Sequence, residues 1–446
     1  MYIEKVNIKN IRSIRDFEMV FSEPAGWHVL IGDNGSGKSS VVRSIAATLI
    51  GPEQITAVLP VWEDWLSKGQ EDGEIHLELL PDWEVDSIGR GQPPKNKLIV
   101  NRFTLKKTEN GKVKLSTNIY QKTLSPRNYN WGDNSGWFSV AYGPFRRFTG
   151  GDERKNKVFH ASPKAGAHLS VFGEDVALSE ALDWLKELDN KRLREKEEYL
   201  KESGNFTIEE PQQTYISANA LILDKLKRFI NESGLLPHNA QFSDFDVNGN
   251  VIFVDGRGNL IPIVEMSDGY RSVLSMILEL IRQLIATYGA SKVFNSDFEE
   301  GKISLSGVVL IDEIDAHLHP TWQTRIGEWF TKYFPNIQFI VTTHSPLICR
   351  ACENGSIWRL TAPGSDENHG EITGIEKDKL ISGNILDAYG TELFGQSPVR
   401  SVKSDEMLEK LGKLNIEYAL GKITEEEDKE RRKLQKILST DDPIGF

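Results

Sequence analysis

The chain has 446 residues, of which 39% are hydrophobic and 26% are charged, and its formal net charge is −12. This composition predicts a folded protein of two or three domains, or one domain with large insertions, and argues against nonspecific nucleic-acid binding by the whole surface. No run of about 18 apolar residues occurs, which argues against a membrane span. The charged N-terminus and the two cysteines, Cys349 and Cys352, predict a cytoplasmic location. We interpret this pair as small residues on a helix.

The first third of the chain predicts strands on either side of a glycine-rich loop. Residues 2–21 alternate apolar and polar residues in two short runs, which is typical of two strands joined by a turn. Residues 27–51 predict a strand, a loop and a helix. Short β-prone pieces between Glu74 and Gln121 predict a small antiparallel sheet, and residues 136–148 predict one more strand that ends in a loop.

The rest of the chain predicts helices, a parallel sheet and a helical tail. Near-continuous apolar strands that alternate with helices indicate a parallel sheet covered on both faces. Two helices of an arm or lid are predicted at 178–203 and 216–233, followed by a hairpin at 250–265 that turns at Asp255-Gly256. Strands follow at 306–312 and 338–344, with a helix between them. The last 45 or so residues predict a helical hairpin.

The segment GDNGSGKS, residues 32–39, has the spacing G-x-x-x-x-G-K-[ST] between a predicted strand and a predicted helix. Glycines let backbone N–H groups turn toward phosphate oxygens, and the helix start adds a favourable dipole. Lys38 is expected to reach the β- and γ-phosphates, and Ser39 to bind Mg²⁺. A chance Lys-Ser after a glycine turn is the alternative. The residues expected to contact ATP here are Gly32, Asn34, Gly35, Ser36, Gly37, Lys38, Ser39 and Ser40.

The segment GVVLIDEID, residues 307–315, is an apolar strand that ends in acidic residues. A buried parallel strand has no structural need for adjacent carboxylates at the end where ligands of α/β sheets bind. Asp312 is expected to hold Mg²⁺ through water, and Glu313 to orient and polarise the attacking water. The alternative is that the two acids only cap the next helix.

Histidines follow both apolar strands. His344 stands at the end of the second strand, where we expect it to contact the γ-phosphate or the water. His317 and His319 have a metal-like spacing, but no third ligand is evident, so we interpret them as local hydrogen-bonding residues.

The segment MSDGYRS, residues 266–272, precedes a strongly apolar helix. Ser267 or Asp268 could cap this helix. A Ser-x-Gly helix start also offers a hydroxyl and free N–H groups to an anion. The local sequence leaves both interpretations open.

The order of these segments resembles the ABC-type ATPases, with a Walker A loop, a signature motif, a Walker B strand and an H-loop histidine. The resemblance implies that residues 267–272 are the signature and that Asp315 belongs to the D-loop. Ser267 lies 228 residues after Ser39, a gap similar to that of the SMC, RecF and OLD branch. The segments NIKNIRSI, GDNGSGKSS, AYGPFRRF, DEIDAHLHP and VTTHSPL most resemble the stand-alone OLD-like ATPases of bacterial anti-phage defence, the PtuA family of Septu and some retrons.

Two motifs depart from the family pattern. The signature has Asp268 and Tyr270 where transporters have Gly and Gln. No Gln stands beside Gly143, at the place of the Q-loop, so Arg146 or Arg147 is the candidate for that contact.

The resemblance implies an α/β fold: an ABC/SMC-type P-loop ATPase head with a central mixed sheet, a small antiparallel β subdomain, a helical insertion and a C-terminal helical hairpin. It implies four parts: an N-terminal ATPase lobe with the basic β subdomain at 1–150, a helical insertion or lid at 151–245, a C-terminal ATPase lobe at 246–395 and a helical tail at 396–446.

The resemblance also implies a composite site in a homodimer or higher homo-oligomer. One chain would supply the Walker residues and His344, and the second would place Ser267 and Gly269 against the γ-phosphate of the first. The tail is too short for the Toprim nuclease domain of OLD proteins, so we expect no nuclease site in this chain and an HNH nuclease as partner. In retrons, a reverse transcriptase and its DNA product would join.

The first hypothesis is therefore an anti-phage defence ATPase that closes around ATP and holds a nuclease partner in check or releases it. A second hypothesis is a RecF- or SMC-like DNA-repair ATPase that clamps DNA directly. The segment 95–164 has 15 Lys or Arg against 4 Asp or Glu, a balance of +11. With Trp131, Trp137 and Phe148 it would form a DNA or RNA surface, unless its lysines decorate an exposed sheet or meet an acidic partner. A third hypothesis is an ATP-binding scaffold with negligible turnover, against which Glu313 argues.

Overall fold

The structure is a computed structural model, and it describes residues 1–59, 61–87, 98–117, 126–131, 136–146, 148, 162–174, 176, 178–202, 217–295, 298, 301–364, 369–384 and 402–438. Arg147 and the basic residues between 149 and 161 lie outside these described residues. The chain divides into two compact units, Met1–Gly383 and Asn384–Phe446. Among the described residues, no helix has the length and apolar character needed to cross a membrane.

The elements follow the predicted order. The strands are β1 (Tyr2–Ile11), β2 (Ile14–Val20), β3 (Gly26–Gly32), β4 (Asp72–Leu80), β5 (Ile99–Lys107), β6 (Val113–Ser116), β7 (Ser139–Tyr142), β8 (Gln241–Phe245), β9 (Val251–Val254), β10 (Leu260–Pro262), β11 (Gly307–Ile311), β12 (Ile337–Thr342), β13 (Gly355–Leu360) and β14 (Gly370–Ile372). The α-helices are α1 (Lys38–Ile50), α2 (Pro52–Val58), α3 (Pro126–Tyr129), α4 (Pro163–Gly166), α5 (Glu180–Glu202), α6 (Ala218–Glu232), α7 (Asp268–Tyr288), α8 (Ala290–Val293), α9 (Pro320–Gln323), α10 (Ile326–Tyr333), α11 (Ile375–Ser382), α12 (Val402–Ala419) and α13 (Glu425–Leu438). Short 3₁₀ helices are Glu63–Trp65, Leu169–Val171, Pro237–Asn239, Ile263–Glu265 and Pro346–Asn354.

The first unit is built on a mixed sheet in the order β14-β13-β3-β12-β11-β7 within the described residues. The strands from β13 to β7 run parallel, and β14 is antiparallel at the edge. Every residue of β3, β11 and β12 is buried, as expected of apolar parallel strands with both faces covered. The predicted parallel strands and the mixed sheet are confirmed.

A second sheet is antiparallel, in the order β2-β1-β4-β5-β6. Helix α1 contacts strands of both sheets, and its Val41, Ile45 and Leu49 are fully buried in the core that the sheets share. The predicted antiparallel sheet is therefore real, but it is larger than predicted, because β1 and β2 form one side of it. This arrangement fixes the N-terminal end of α1, and hence the loop before it, relative to the mixed sheet.

Helices α5 and α6 pack on each other, as predicted for an arm, and a small sheet in the order β10-β9-β8 contacts them. The predicted hairpin of β9 and β10 is confirmed. The carboxylate of Asp255 closes its turn by accepting hydrogen bonds from the N–H groups of Arg257 and Asn259. Strand β8 pairs with β9. The hairpin that they form therefore crosses residues 245 and 246, the predicted boundary between the helical insertion and the C-terminal lobe.

The second unit contains the predicted helical hairpin. Helices α12 and α13 contact each other. Lys410 of the first helix lies 2.6 Å from Glu430 of the second.

Candidate functional site

The residues predicted to bind a nucleotide lie at one edge of the mixed sheet. Strands β3, β12 and β11 are parallel neighbours, so their carboxyl ends meet. The predicted phosphate loop Gly32–Ser39 comes at the end of β3, the acidic segment Asp312–Asp315 follows β11, and His344 follows β12. Ligands of open α/β sheets bind at this edge.

The phosphate loop wraps around the side chain of Lys38. Its Nζ donates hydrogen bonds to the carbonyl oxygens of Gly32 at 2.7 Å and of Asp33 at 3.0 Å. Burial lowers the pKa of Lys38, an effect that neighbouring carboxylates oppose. Asn34 is exposed in the loop, and Ser40 is buried in the first turn of α1. The ammonium group is therefore held at the centre of the loop.

Three features of the loop fit the phosphate groups of a nucleotide. The φ angles of Gly35 and Gly37 are +79° and +107°, and no atom lies within 4 Å of the position that a Cβ would take at Gly35. The Ser36 hydroxyl is buried without a hydrogen-bond partner among the described residues. Helix α1 begins without a side-chain cap. Phosphate oxygens would satisfy both the hydroxyl and the free N–H groups.

Ser39, Asp312, Thr342 and Glu313 form one hydrogen-bonded cluster. Ser39 Oγ donates to Asp312 Oδ1 at 3.0 Å, and Thr342 Oγ1 donates to the same oxygen at 2.6 Å. Thr342 Oγ1 also accepts the Glu313 N–H at 2.7 Å. A hydroxyl and a carboxylate at this distance are the oxygen ligands that Mg²⁺ prefers, so Ser39 and Asp312 fit that ion.

Thr342 was not identified from the sequence. Its hydroxyl joins Asp312 to the backbone of Glu313, and its side chain is fully buried. The signal that could have found it is its position, because it ends the parallel strand next to the strand that leads into Asp312.

Asp315 and His344 belong to the same edge. Asp315 Oδ1 accepts a hydrogen bond from Thr343 Oγ1 at 2.5 Å and from the His344 N–H at 3.3 Å. His344 is exposed. Partial burial of its ring lowers the pKa of His344, and the charge of Lys38 lowers it further. Asp315 therefore fixes the turn that carries the imidazole.

Ser267 occupies the N-cap position of α7, but its side chain makes no cap hydrogen bond. Asp268 pairs with Arg271 instead. Side-chain capping, one of the two open interpretations, is therefore not observed for Ser267 or Asp268: Ser267 is exposed, and the Asp268 carboxylate pairs with the arginine one turn later. The carbonyl oxygen of His317 lies 3.1 Å from the position of a Cβ at Gly269, so this helix start packs closely on the loop after Asp315.

Arg146 reaches the site through the main chain. It is 4% exposed, and its guanidinium donates to the carbonyl oxygens of Gly143, Asp312 and Glu313. Of the two arginines named for the Q-loop place, Arg146 contacts the backbone of the site. Arg147 lies outside the described residues.

The basic segment is only partly a surface. Trp131, Trp137 and Phe148 are 9%, 5% and 2% exposed, so the expectation that they belong to a nucleic-acid contact surface is wrong. Their burial contributes to the core instead. Lys164 Nζ is also buried, 4.3 Å from the centre of the Trp137 ring. Lys106, in contrast, is exposed.

The remaining candidates have local roles. His319 Nδ1 accepts the N–H of Thr321 at 3.3 Å, which confirms it as a local hydrogen-bonding residue. Cys349 and Cys352 are free and buried on the 3₁₀ helix Pro346–Asn354. Burial raises the pKa of both thiols. In the described part of the chain, no group of three or more His, Cys, Asp or Glu residues is placed to hold a metal.

Two family models match successive parts of the chain. The model described as "AAA ATPase domain" matches residues 1–133, which contain the phosphate loop. The model described as "AAA domain, putative AbiEii toxin, Type IV TA system" matches residues 142–350, which contain Arg146, Asp312 and His344.

The chain is 25% identical over 406 residues to the Septu protein PtuA of Bacillus mycoides, covering 87% of this chain and 45% of that protein. The predicted resemblance to the PtuA-type ATPases is confirmed. The chain is also 25% identical over 394 residues to the "Retron Vc95 probable ATPase" of Vibrio cholerae, covering 77% of this chain and 71% of that protein. It thus spans about half the length of the PtuA relative from Bacillus mycoides.

Among solved structures, the chain is similar to an Smc head bound to the C-winged helix domain of ScpA. The TM-score is 0.47 at 16% identity, and the match covers 85% of this chain and 99% of that one. The SMC head domain from Thermotoga maritima matches with a TM-score of 0.42 at 13% identity, covering 84% of this chain and 99% of the other.

Proposed function

We propose that this chain is an ATP-hydrolysing ATPase of bacterial anti-phage defence. The observation that carries the proposal is the cluster at the sheet edge, in which Ser39 and Thr342 both donate to Asp312 while Thr342 holds the backbone of Glu313. The similarity to PtuA and retron ATPases supports the biological setting.

The residues of this chain have distinct roles in the proposed reaction. Lys38 and the N–H groups of the phosphate loop would bind the phosphates. Ser39 and Asp312 would hold a magnesium ion, which would supply positive charge to the phosphates. Glu313 is the general base that takes a proton from the attacking water. His344 would hydrogen-bond the γ-phosphate or the water.

The proposed assembly is a homodimer or higher oligomer that closes around ATP. The exposed Ser267 and the uncapped start of α7 support it, since these groups offer a hydroxyl and N–H donors to an anion outside their own chain. Closure would shift a population between open and closed states and so regulate a partner nuclease of the HNH type.

The test of the ATPase is a Glu313→Gln variant, with Glu328→Gln on the exposed side of α10 as the matched control. Turnover should fall by about 100-fold to 10,000-fold, the range for loss of a general base. ATP-dependent association, measured by light scattering, should persist in the Glu313→Gln protein. Unchanged turnover would refute the role of Glu313.

The test of the composite site is a Ser267→Arg variant. It should bind ATP as a monomer with ordinary affinity but should neither associate nor hydrolyse ATP. The control is Thr321→Arg on the neighbouring exposed helix start of α9. Intact turnover in the Ser267→Arg protein would show that this helix start does not complete a partner's site.

The test of the proposed partner has two steps: the genes beside this one are searched for an HNH nuclease, and that nuclease is then mixed with this chain. DNA cleavage by the mixture should change when ATP is replaced by a non-hydrolysable analogue. Cleavage that is identical with and without this chain would refute regulation of that nuclease.

A second candidate function is direct clamping of DNA, and one observation favours it. Lys106 of β5 pairs directly with Lys114 of β6, and both are exposed. Like charges on opposite strand positions destabilise a hairpin. Asp72 of β4, which pairs with Lys106 on its other side, offsets part of this repulsion, and an anionic partner would relieve the rest. Lys107 beside them already pairs with Glu71 at 3.3 Å.

The two functions are separated by DNA affinity of the chain alone. A Lys106→Gln, Lys114→Gln double variant should lose salt-dependent binding if the hairpin clamps DNA, and ATP turnover in the absence of DNA should be unchanged. DNA affinity equal to that of the unmodified protein would exclude this hairpin as the contact.

A further inference from the structure

Arg146 is the most highly connected buried cation at the candidate site. It lies four residues after the end of β7, and its Nη1 donates to the carbonyl oxygens of Gly143 at 3.0 Å and Asp312 at 2.9 Å. Its Nη2 donates to the carbonyl oxygens of Glu313 at 2.9 Å and Ile314 at 3.3 Å. The guanidinium therefore holds the main chain that carries the predicted metal ligand Asp312 and the predicted base Glu313.

The Nε of Arg146 makes a different kind of contact. It donates to Ser272 Oγ at 3.2 Å, and Ser272 is buried in the first turns of α7, the helix that begins after Ser267. One side chain thus bridges the acidic loop and the helix that carries the predicted signature.

The acceptors of this guanidinium are neutral oxygens. Within the described residues, no carboxylate lies at ion-pair distance from Arg146, although Asp315, Asp312 and Glu313 are close enough to favour its charge. Burial lowers the pKa of Arg146 to about 10, so it remains protonated at neutral pH. Burying a cation without a paired anion is costly, and here the cost is offset by a complete set of carbonyl acceptors, a geometry suited to a planar donor fork.

The main chain that Arg146 holds is strained. Glu313 has a φ of +49° and His317 has a φ of +65°, a left-handed conformation that persists in non-glycine residues only where the surroundings enforce it. The direction in which the Glu313 side chain leaves the backbone depends on this conformation. Loss of the guanidinium would therefore let the Glu313 backbone relax and its carboxylate move.

We propose that Arg146 is a positioning residue for the reaction: it holds the strained backbone of Glu313 in its working orientation and ties that orientation, through Ser272, to helix α7. This inference rests on the proposed ATPase function, because it assumes that Glu313 acts as the base. Arg146 does not contact the nucleotide in this scheme, so ATP affinity depends little on it. Movement of α7 during closure would reach Glu313 through the Nε–Ser272 contact.

The test is the steady-state kinetics of Arg146→Ala, with Arg127→Ala as control because Arg127 is an arginine on the exposed surface. In Arg146→Ala, kcat should fall by about 100-fold, the scale expected when a reacting group is misplaced by about 1 Å. The affinity for a fluorescent ATP analogue should change by less than about threefold. Guanidinium chloride at millimolar concentration should restore part of kcat, saturably, and ethylammonium chloride should restore less.

Ser272→Ala keeps the cation and removes only the link to α7. It should lower kcat by about tenfold, the factor for one hydrogen bond, without a change in ATP affinity and without rescue by guanidinium. If Arg146→Ala does not fold, as judged by its thermal melt, Arg146→Lys and Ser272→Ala give the same comparison, since both keep a buried cation at position 146.

The outcomes separate this inference from the proposed function. Absence of ATP hydrolysis in the unmodified protein would refute the ATPase itself. Hydrolysis that is lost in Glu313→Gln but retained in Arg146→Ala and Ser272→Ala would refute only the positioning role. A parallel loss of ATP affinity and kcat, without rescue, would show that Arg146 supports the fold rather than the base.

Discussion

Replacing Thr342 by valine is the most direct test of the hydrogen-bonded cluster, because valine has nearly the same shape and lacks the hydroxyl. The change removes a hydrogen bond to the buried Asp312 carboxylate at 2.6 Å and leaves the Glu313 N–H, held at 2.7 Å, without its acceptor. A hydrogen bond to a charged group contributes about 1.5–3 kcal/mol, and an unsatisfied N–H costs about 1–3 kcal/mol. Burial of the extra methyl group returns about 0.8 kcal/mol.

The expected net effect of Thr342→Val is a loss of about 2–5 kcal/mol in the free energy of unfolding. The catalytic rate should also fall by at least about tenfold, since the backbone of the proposed base loses a contact. The assays are urea unfolding followed by tryptophan fluorescence and steady-state ATP hydrolysis.

Two controls frame this measurement. Thr342→Ser keeps both hydrogen bonds and loses one methyl group, so it should cost about 1 kcal/mol and retain most of the activity. Thr331→Val removes only a hydroxyl that bonds to carbonyl oxygens of its own helix and should stay within about 0.5 kcal/mol. A Thr342→Val protein as stable and active as Thr342→Ser would refute the reasoning.

Three further predictions concern other parts of the first unit. Gly37→Ala should abolish nucleotide binding, measured by calorimetry, and lower the thermal midpoint, because φ is +107° and the new Cβ would lie 2.8 Å from Ser13 Oγ. Gly35→Ala has open space around the new Cβ and should lower the thermal midpoint less. Equal losses in the two variants would contradict this prediction. Burial lowers the pKa of Lys164 to about 7, whereas the same group in the unfolded chain loses its proton only at about pH 10. Between these two pH values the unfolded chain binds more protons than the folded one, so the free energy of unfolding rises with pH. Lys164→Met should therefore raise the thermal midpoint most at about pH 6 and progressively less toward about pH 9, and a difference independent of pH would refute the buried charge. Cys349 and Cys352 should resist iodoacetamide in the folded protein and react after denaturation, since burial raises the pKa of both thiols. Mass spectrometry measures the labelling. Labelling at the rate of a free thiol would contradict their burial.

Local patterns were sufficient to predict most of the elements. The glycine loop between a strand and a helix, the apolar strand into Asp312 and the helical tail each depend on residues close in sequence, where backbone preference and hydrophobic period act directly. The same reasoning overestimated what composition reveals about surfaces. Trp131 and Trp137 are near many lysines in sequence, yet both are buried, because burial depends on what packs above a residue and not on its neighbours in the chain.

The residue types needed for phosphate and metal chemistry, and their order along the chain, can be read from the amino-acid sequence. Which of these residues meet depends on how the chain folds. Strand order places β12 between β3 and β11, and only this pairing brings Thr342 to Asp312 and Ser39 to the same carboxylate. The contact of Arg146 with Glu313 and Ser272 likewise spans 167 and 126 residues of chain. Such contacts follow from the packing of distant segments around a shared core, so no local spacing in the sequence encodes them.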